Sequence, residues 1–139
     1  MKYLLDTCVI SEVIRPKPDR KVIAWLSQQA EEILYLSVLT FGEIEKGIEK
    51  AVDGERKNRL KCWVEEDLKQ RFKGRILHID MQVAIQWGRM QGQSELAGKP
   101  LPSIDGLIAA TGLVNHCVVV TRNVQDMQQS SVELFNPWR

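Results

Sequence analysis

Short, nearly all-apolar runs alternate along this chain with segments whose apolar residues recur at helical spacing, and that alternation narrows the fold more than any other feature. The runs are residues 2–5, Ile33 to Leu36, Ile76 to Ile79, Val118-Val119-Val120 and a short last one near Leu134-Phe135. Between them lie helical patterns: Val9, Ile10, Val13 and Ile14 after Asp6; Val22, Ile23 and Leu26 after a capping Asp19; and Ile44 and Ile48 in a helix starting at Thr40. A charged helix follows from about Glu55 to Phe72, then one from roughly Asp80 carrying Val83, Ala84, Trp87 and Met90, and one capped by Ser103 with Ile104, Leu107, Ile108 and Thr111 on one face. Strands without polar alternation are buried on both faces, which a parallel sheet covered by helices achieves. The expected class is α/β, a short, mostly parallel central sheet flanked by helices. In such sheets a ligand sits outside the carboxyl ends of the strands, where strand order reverses.

The chain has 139 residues, 44% of them hydrophobic, which suits a single domain over residues 1–139 with a core of its own. Lys and Arg number 19 against 18 Asp and Glu, so a net charge of +1 provides no global field toward nucleic acid or membrane. Any anion must be bound by a local patch or a metal. No apolar run approaches the ~20 residues of a bilayer span, and Asp6 interrupts the start before a signal-peptide core is complete. The 3 cysteines, Cys8, Cys62 and Cys117, form no paired motif, so a reducing compartment, the cytoplasm, is expected.

Four acids fall just after strands or near helix starts: Asp6, Glu43, Asp105 and Asp126. Converging strand ends would gather them in one crevice, where mutual repulsion raises their pKa values unless a cation is present. Carboxylates alone favour Mg²⁺, with Mn²⁺ as an alternative, over zinc. Such an ion suits phosphodiester hydrolysis. Each acid also has a structural reading. Asp6 can cap the helix behind it, Thr40-Phe41-Gly42-Glu43 has the form of a capping box, Asp105 lies in a first helical turn, and Asp126 fits a surface turn.

The segments Leu4-Leu5-Asp6-Thr7-Cys8-Val9-Ile10-Ser11-Glu12, Thr40-x-x-Glu43, Asp105-Gly106-Leu107-Ile108-Ala109-Ala110-Thr111 and Thr121-Arg122-Asn123-Val124-Gln125-Asp126 together resemble a PIN domain. Their order and spacing are similar to the VapC-type toxins of toxin–antitoxin pairs, particularly the FitB-like branch. The resemblance spans Leu4 to Asp126. It implies a PIN-like fold, a Mg²⁺-dependent endoribonuclease acting on RNA, a cognate antitoxin protein that restrains it, and a homodimer. It carries over Asp6, Glu43, Asp105 and Asp126 as catalytic and metal-binding acids, with Thr7, Thr40, Thr121 and Asn123 as polar support. Three positions depart from the family pattern: Cys8 replaces an Asn, Met127 an aromatic residue, and Gly106 weakens a helix. A thiol lacks the donors and carbonyl acceptor of the amide.

Other chemistries lack their motifs. Pro100 follows Lys99 where a phosphate loop requires Ser or Thr, His78 and His116 have no zinc spacing to a cysteine, and no Gly-x-Ser-x-Gly occurs. Arg15, Lys17 and Arg122 follow strand ends or flank the motifs, where they could contact RNA phosphates. The tryptophans read as core or dimer interface. The rival to a nuclease is a PIN-like module without nuclease activity that binds RNA or a protein, its acids serving as caps.

Overall fold

The computed structural model describes all 139 residues. Five strands form one parallel sheet in the order β3-β2-β1-β4-β5, with β1 Lys2–Leu5, β2 Leu34–Ser37, β3 Ile76–Leu77, β4 Cys117–Val120 and β5 Leu134–Phe135. The chain moves from β1 outward through β2 to β3, then returns to place β4 on the other side of β1. Connections leaving β1 and β4 therefore diverge, opening a crevice at the carboxyl ends of these two strands.

The helices are α1 Thr7–Val13, α2 Arg20–Ser27, α3 Val38–Lys50, α4 Glu55–Cys62, α5 Lys69–Arg71, α6 Met81–Leu96, α7 Ser103–Val114 and α8 Val124–Met127. Trp63–Leu68 joins α4 to α5 as a π-helical stretch, so the expected charged helix from Glu55 persists but is locally unwound. No helix is long and apolar enough to cross a membrane.

Successive strand residues point to opposite faces, and each face has its own core. Leu4 and Val119 join Val83, Met90, Ile108 and Ala109 beneath α6 and α7. Their neighbours Leu5 and Val120 join Val9, Val22, Leu68 and Phe72 on the other side. This two-sided burial explains why the strands are uniformly apolar.

Two expected helix starts differ. Ser37 caps α3 by accepting the Leu39 N–H at 3.0 Å, so the helix begins at Val38 rather than Thr40 and Thr40-x-x-Glu43 is not a capping box. The serine at the end of an apolar strand serves as strand terminus and cap together. Ser103 is already helical; Pro102 precedes it and makes no side-chain cap. The third strand stops at Leu77, before Ile79.

Gly106 and Gly112 let α7 pack closely on both its neighbours. A Cβ on Gly106 would lie 3.2 Å from the Trp87 ring on α6, which accounts for a glycine in this helix. A Cβ on Gly112 would lie 2.6 Å from Val119 Cγ2, a fully buried, β-branched group with little freedom to retreat. Gly112→Ala is expected to destabilise the protein by about 1–3 kcal/mol through overpacking. Gly92→Ala on α6, where a Cβ meets nothing within 4 Å, should instead stabilise it by roughly 0.5–1 kcal/mol. Chemical denaturation of the two variants beside the wild type measures the difference.

Candidate active site

The crevice between β1 and β4 is built around Asp6. Its backbone N–H donates to Val120 O at 2.9 Å, continuing the β1–β4 ladder by one residue, and its side chain is 3% exposed. Asp6 Oδ1 accepts the Thr7 N–H at 2.8 Å, and Oδ2 accepts the Thr121 hydroxyl at 2.7 Å. Asp6 is thus both the N-cap of α1 and the carboxylate that bridges the diverging ends of β1 and β4. Thr121, fully buried, also accepts the Asn123 N–H at 2.9 Å and so shapes the turn after β4. The Asn123 side chain makes no capping bond to α8.

Thr7 carries the arrangement to α3. Its hydroxyl donates to Glu43 Oε1 at 2.6 Å and lies 3.1 Å from the hydroxyl of buried Thr40. One residue thereby supports two acids, Asp6 through its backbone and Glu43 through its side chain. Glu43 lies in the second turn of α3, beyond reach of the cap, and its carboxylate is committed to Thr7 rather than to the helix start.

Asp105 lies in the first turn of α7 and is half-buried. Burial first, then the charges of Asp6, Asp126 and Glu43, push its carboxyl up from 3.8 to about 6. Asp126, exposed on α8, completes the group. Three acids from three other segments therefore act on Asp105. Burial also pushes the Asp6 carboxyl up, while the bonds from Thr121, Thr7 and Cys8 oppose that shift.

Cys8 sits against the same carboxylate. Its sulfur lies 3.7 Å from Asp6 Oδ2 and 3.7 Å from the Thr121 hydroxyl, and accepts the Arg122 N–H at 3.5 Å. Burial and the Asp6 charge push the thiol up to about 11, so it remains a protonated, weak donor to Asp6. At this departure from the family pattern the sulfur contacts Asp6, Thr121 and Arg122.

The donor set fits a hard divalent cation. The acids offer carboxylate oxygens, the ligands hard divalent cations prefer. No three acidic, His or Cys side chains close into a ready-made cage. The donor set therefore suits an ion held by one or two carboxylates with water completing its shell, as Mg²⁺ prefers.

Of the basic residues expected to meet RNA, Arg15 pairs with buried Glu12 at 3.2 Å and lines a cavity with Arg56, Arg59 and Trp63. Lys17 is exposed between α1 and α2. Arg122 alone of the three shares a cavity with one of the acids, Asp126. Sequence reasoning missed Trp138, whose ring lies 5.1 Å from the Arg122 guanidinium. A lone terminal aromatic residue has no periodicity to mark it.

Comparison with known proteins agrees with this geometry. The family model for the PIN domain matches residues 3–129. The chain is 38% identical to the toxin FitB of Neisseria gonorrhoeae and 33% identical to a VapC ribonuclease of Sinorhizobium fredii, over 97% of this chain in each case and 97% and 96% of theirs. The crystal structure of FitAcB from Neisseria gonorrhoeae superposes with a TM-score of 0.94 at 37% identity, covering 99% of both chains. The structure of FitAB bound to a DNA fragment gives 0.93, also at 37%, covering 99% of this chain and 96% of that one. With a sheet whose reversal point gathers four acids, and with relatives matching it from end to end, this chain belongs to the PIN-domain family.

Proposed function

We propose that this protein is a divalent-metal-dependent endoribonuclease, the toxin of a toxin–antitoxin pair, with residues 1–139 acting as one catalytic unit. The observation that carries the proposal is the convergence of Asp6, Glu43 and Asp126 on Asp105, whose carboxyl burial first and then their three charges lift to about 6, with no basic side chain among the causes of that shift. Relatives named as a toxin and as a VapC ribonuclease support the activity, and solved FitAB complexes support an antitoxin partner. The cytoplasm is the proposed place of action.

A bound Mg²⁺ or Mn²⁺ would polarise the phosphodiester and acidify the attacking water. Asp6 and Asp105 are the residues proposed to hold it, assisted by Glu43 and Asp126. Asp6 is positioned by donors to both oxygens yet keeps spare lone-pair capacity, since a carboxylate offers about four acceptor sites. Glu43 is oriented through Oε1 by Thr7, leaving its other oxygen to direct a water toward phosphorus. In-line attack expels the 3′ oxygen, which takes a proton, and leaves a 5′-phosphate. A second copy of the chain is proposed to cover the exposed apolar side chains Met81 and Ile85 of α6 and Ile104 of α7.

The binding-module alternative treats the acids as caps. Asp6 does cap α1, but Glu43 lies past the start of α3 and bonds to another helix. Capping therefore does not account for the group.

Single-turnover cleavage of RNA should appear with Mg²⁺ or Mn²⁺ and disappear with chelator. Asp6→Asn, Glu43→Gln and Asp105→Asn should each slow it by at least about 10²-fold in folded protein. Wild-type rates in all three would remove the acids from the reaction.

The metal-free protein provides a separate electrostatic test. The Asp105 pKa is raised on folding, so its contribution to stability is present below pH 4 and is lost as pH rises through about 6. Asp6, Asp126 and Glu43 are the charges it faces. Metal-free Asp105→Asn should match the wild type near pH 4 and exceed it at pH 7 by of order 1 kcal/mol, once solvent screening of this half-exposed group is allowed for. Denaturant melts at the two pH values measure the crossover.

A further inference from the structure

Beside the acids, on the outer side of the turn after β4, lies a cavity of about 440 Å³ lined by Arg122, Asn123, Gln125, Asp126, Gln128 and Arg139. Neither arginine belongs to an ion pair; the paired cations are Arg15, Lys57, Lys69, Arg71 and Arg75. Its lining residues include two arginines and one acid, Asp126, so the charged side chains around it sum to a positive charge. Its remaining polar lining consists of side-chain amides, which can donate to an anion.

Arg122 is held in place. Its guanidinium stacks 5.1 Å from the centre of the Trp138 ring, a geometry that occupies one face of the cation and leaves its in-plane N–H edge available. Trp138 is anchored in turn: its backbone N–H donates to Asn136 Oδ1 at 2.9 Å, and its indole N–H to Glu12 Oε1 at 3.4 Å. Glu12 is buried and also accepts the Asp19 N–H at 2.9 Å, which with Arg15 keeps its carboxyl below the usual range. The end of α1, the start of α2 and the C-terminal residues thus meet on one carboxylate that fixes the indole under Arg122. Trp138 and Arg139 lie beyond the stretch matched by the PIN family model, residues 3–129.

We propose that Arg122 and Arg139 form a binding subsite for an RNA backbone phosphate next to the acid centre, and that Trp138 is the positioning residue that holds Arg122 ready for it. The subsite deepens the nuclease reading and rests on it for the identity of the polymer. A planar guanidinium matches two phosphate oxygens, so a fixed Arg122 would set the path of the strand into the crevice without reading bases.

The test is fluorescence anisotropy of a labelled single-stranded oligoribonucleotide with the full chain in chelator, where binding is read without cleavage. Wild type is expected to bind saturably. Arg122→Gln and Arg139→Gln should each weaken binding about 3- to 10-fold and each reduce the slope of log affinity against log salt by about 0.7. Arg89→Gln, on α6 in a separate cavity with Gln82 and Ile85, should change neither. Trp138→Ala should match Arg122→Gln and add nothing to it in the double variant, while Trp138→Phe, which keeps a ring, should recover most of the loss; thermal melts establish that each variant is folded. Absence of saturable wild-type binding, or Arg122→Gln and Arg139→Gln behaving like Arg89→Gln, would overturn the subsite. Additive losses from Trp138→Ala and Arg122→Gln would overturn the positioning role. The expected binding results in a protein that fails to cleave RNA with Mg²⁺ would support the subsite and count against the nuclease alone.

Discussion

The hydrogen bond from the Thr121 hydroxyl to Asp6 Oδ2, 2.7 Å long and buried, joins the two strands whose connections run in opposite directions. A sheet that reverses its strand order leaves a gap at that point, with backbone groups turning away on either side. Here the gap is spanned by a carboxylate from one strand and a hydroxyl from the other. The bond offsets part of the desolvation that raises the Asp6 carboxyl, so an ionisable group can stay at a position that is otherwise core. Thr7 then extends the same support to Glu43, and α7 brings Asp105 over the crevice.

That construction places like charges together, and the resulting cost falls on Asp105. It is half-buried and receives repulsion from the other three acids. A fold optimised for stability alone would replace one of these acids with an amide. Their presence in one crevice is what supports the proposed cation, since a divalent charge would convert the repulsion on Asp105 into ligation. The protonated Cys8 contributes packing and one weak donor to Asp6.

Much of this arrangement was legible in the residues themselves. Uniformly apolar strands implied burial on both faces, and the cores on the two sides of the sheet, one using Leu4 and the other Leu5, are what that pattern means. Asp6 was legible as a strand-to-helix junction because the apolar run ends there. The start of α3 was not, because Ser37 looks like the last residue of a strand and Thr40-x-x-Glu43 imitates a cap three residues too late. Gly106 looked unfavourable by helix propensity alone; its reason is the Trp87 ring on another helix, a tertiary contact that local spacing does not encode. The Glu12–Trp138–Arg122 chain was equally hidden, as it joins residues 126 apart in sequence through one indole. Local chemistry marks where charged groups start, and packing decides which of them meet.

If Asp6 and Asp105 hold a divalent cation as proposed, with Glu43 and Asp126 assisting, its binding requires Asp105 to lose a proton. Calorimetric titration of the metal-free protein with Mn²⁺, at pH 6 and at pH 8 and in buffers of different ionisation enthalpy, measures both binding and proton release. Saturable binding should release about half a proton at pH 6 and almost none at pH 8, as a carboxyl near 6 demands. Binding that releases no proton at pH 6, or no saturable binding at either pH, would contradict the proposed site.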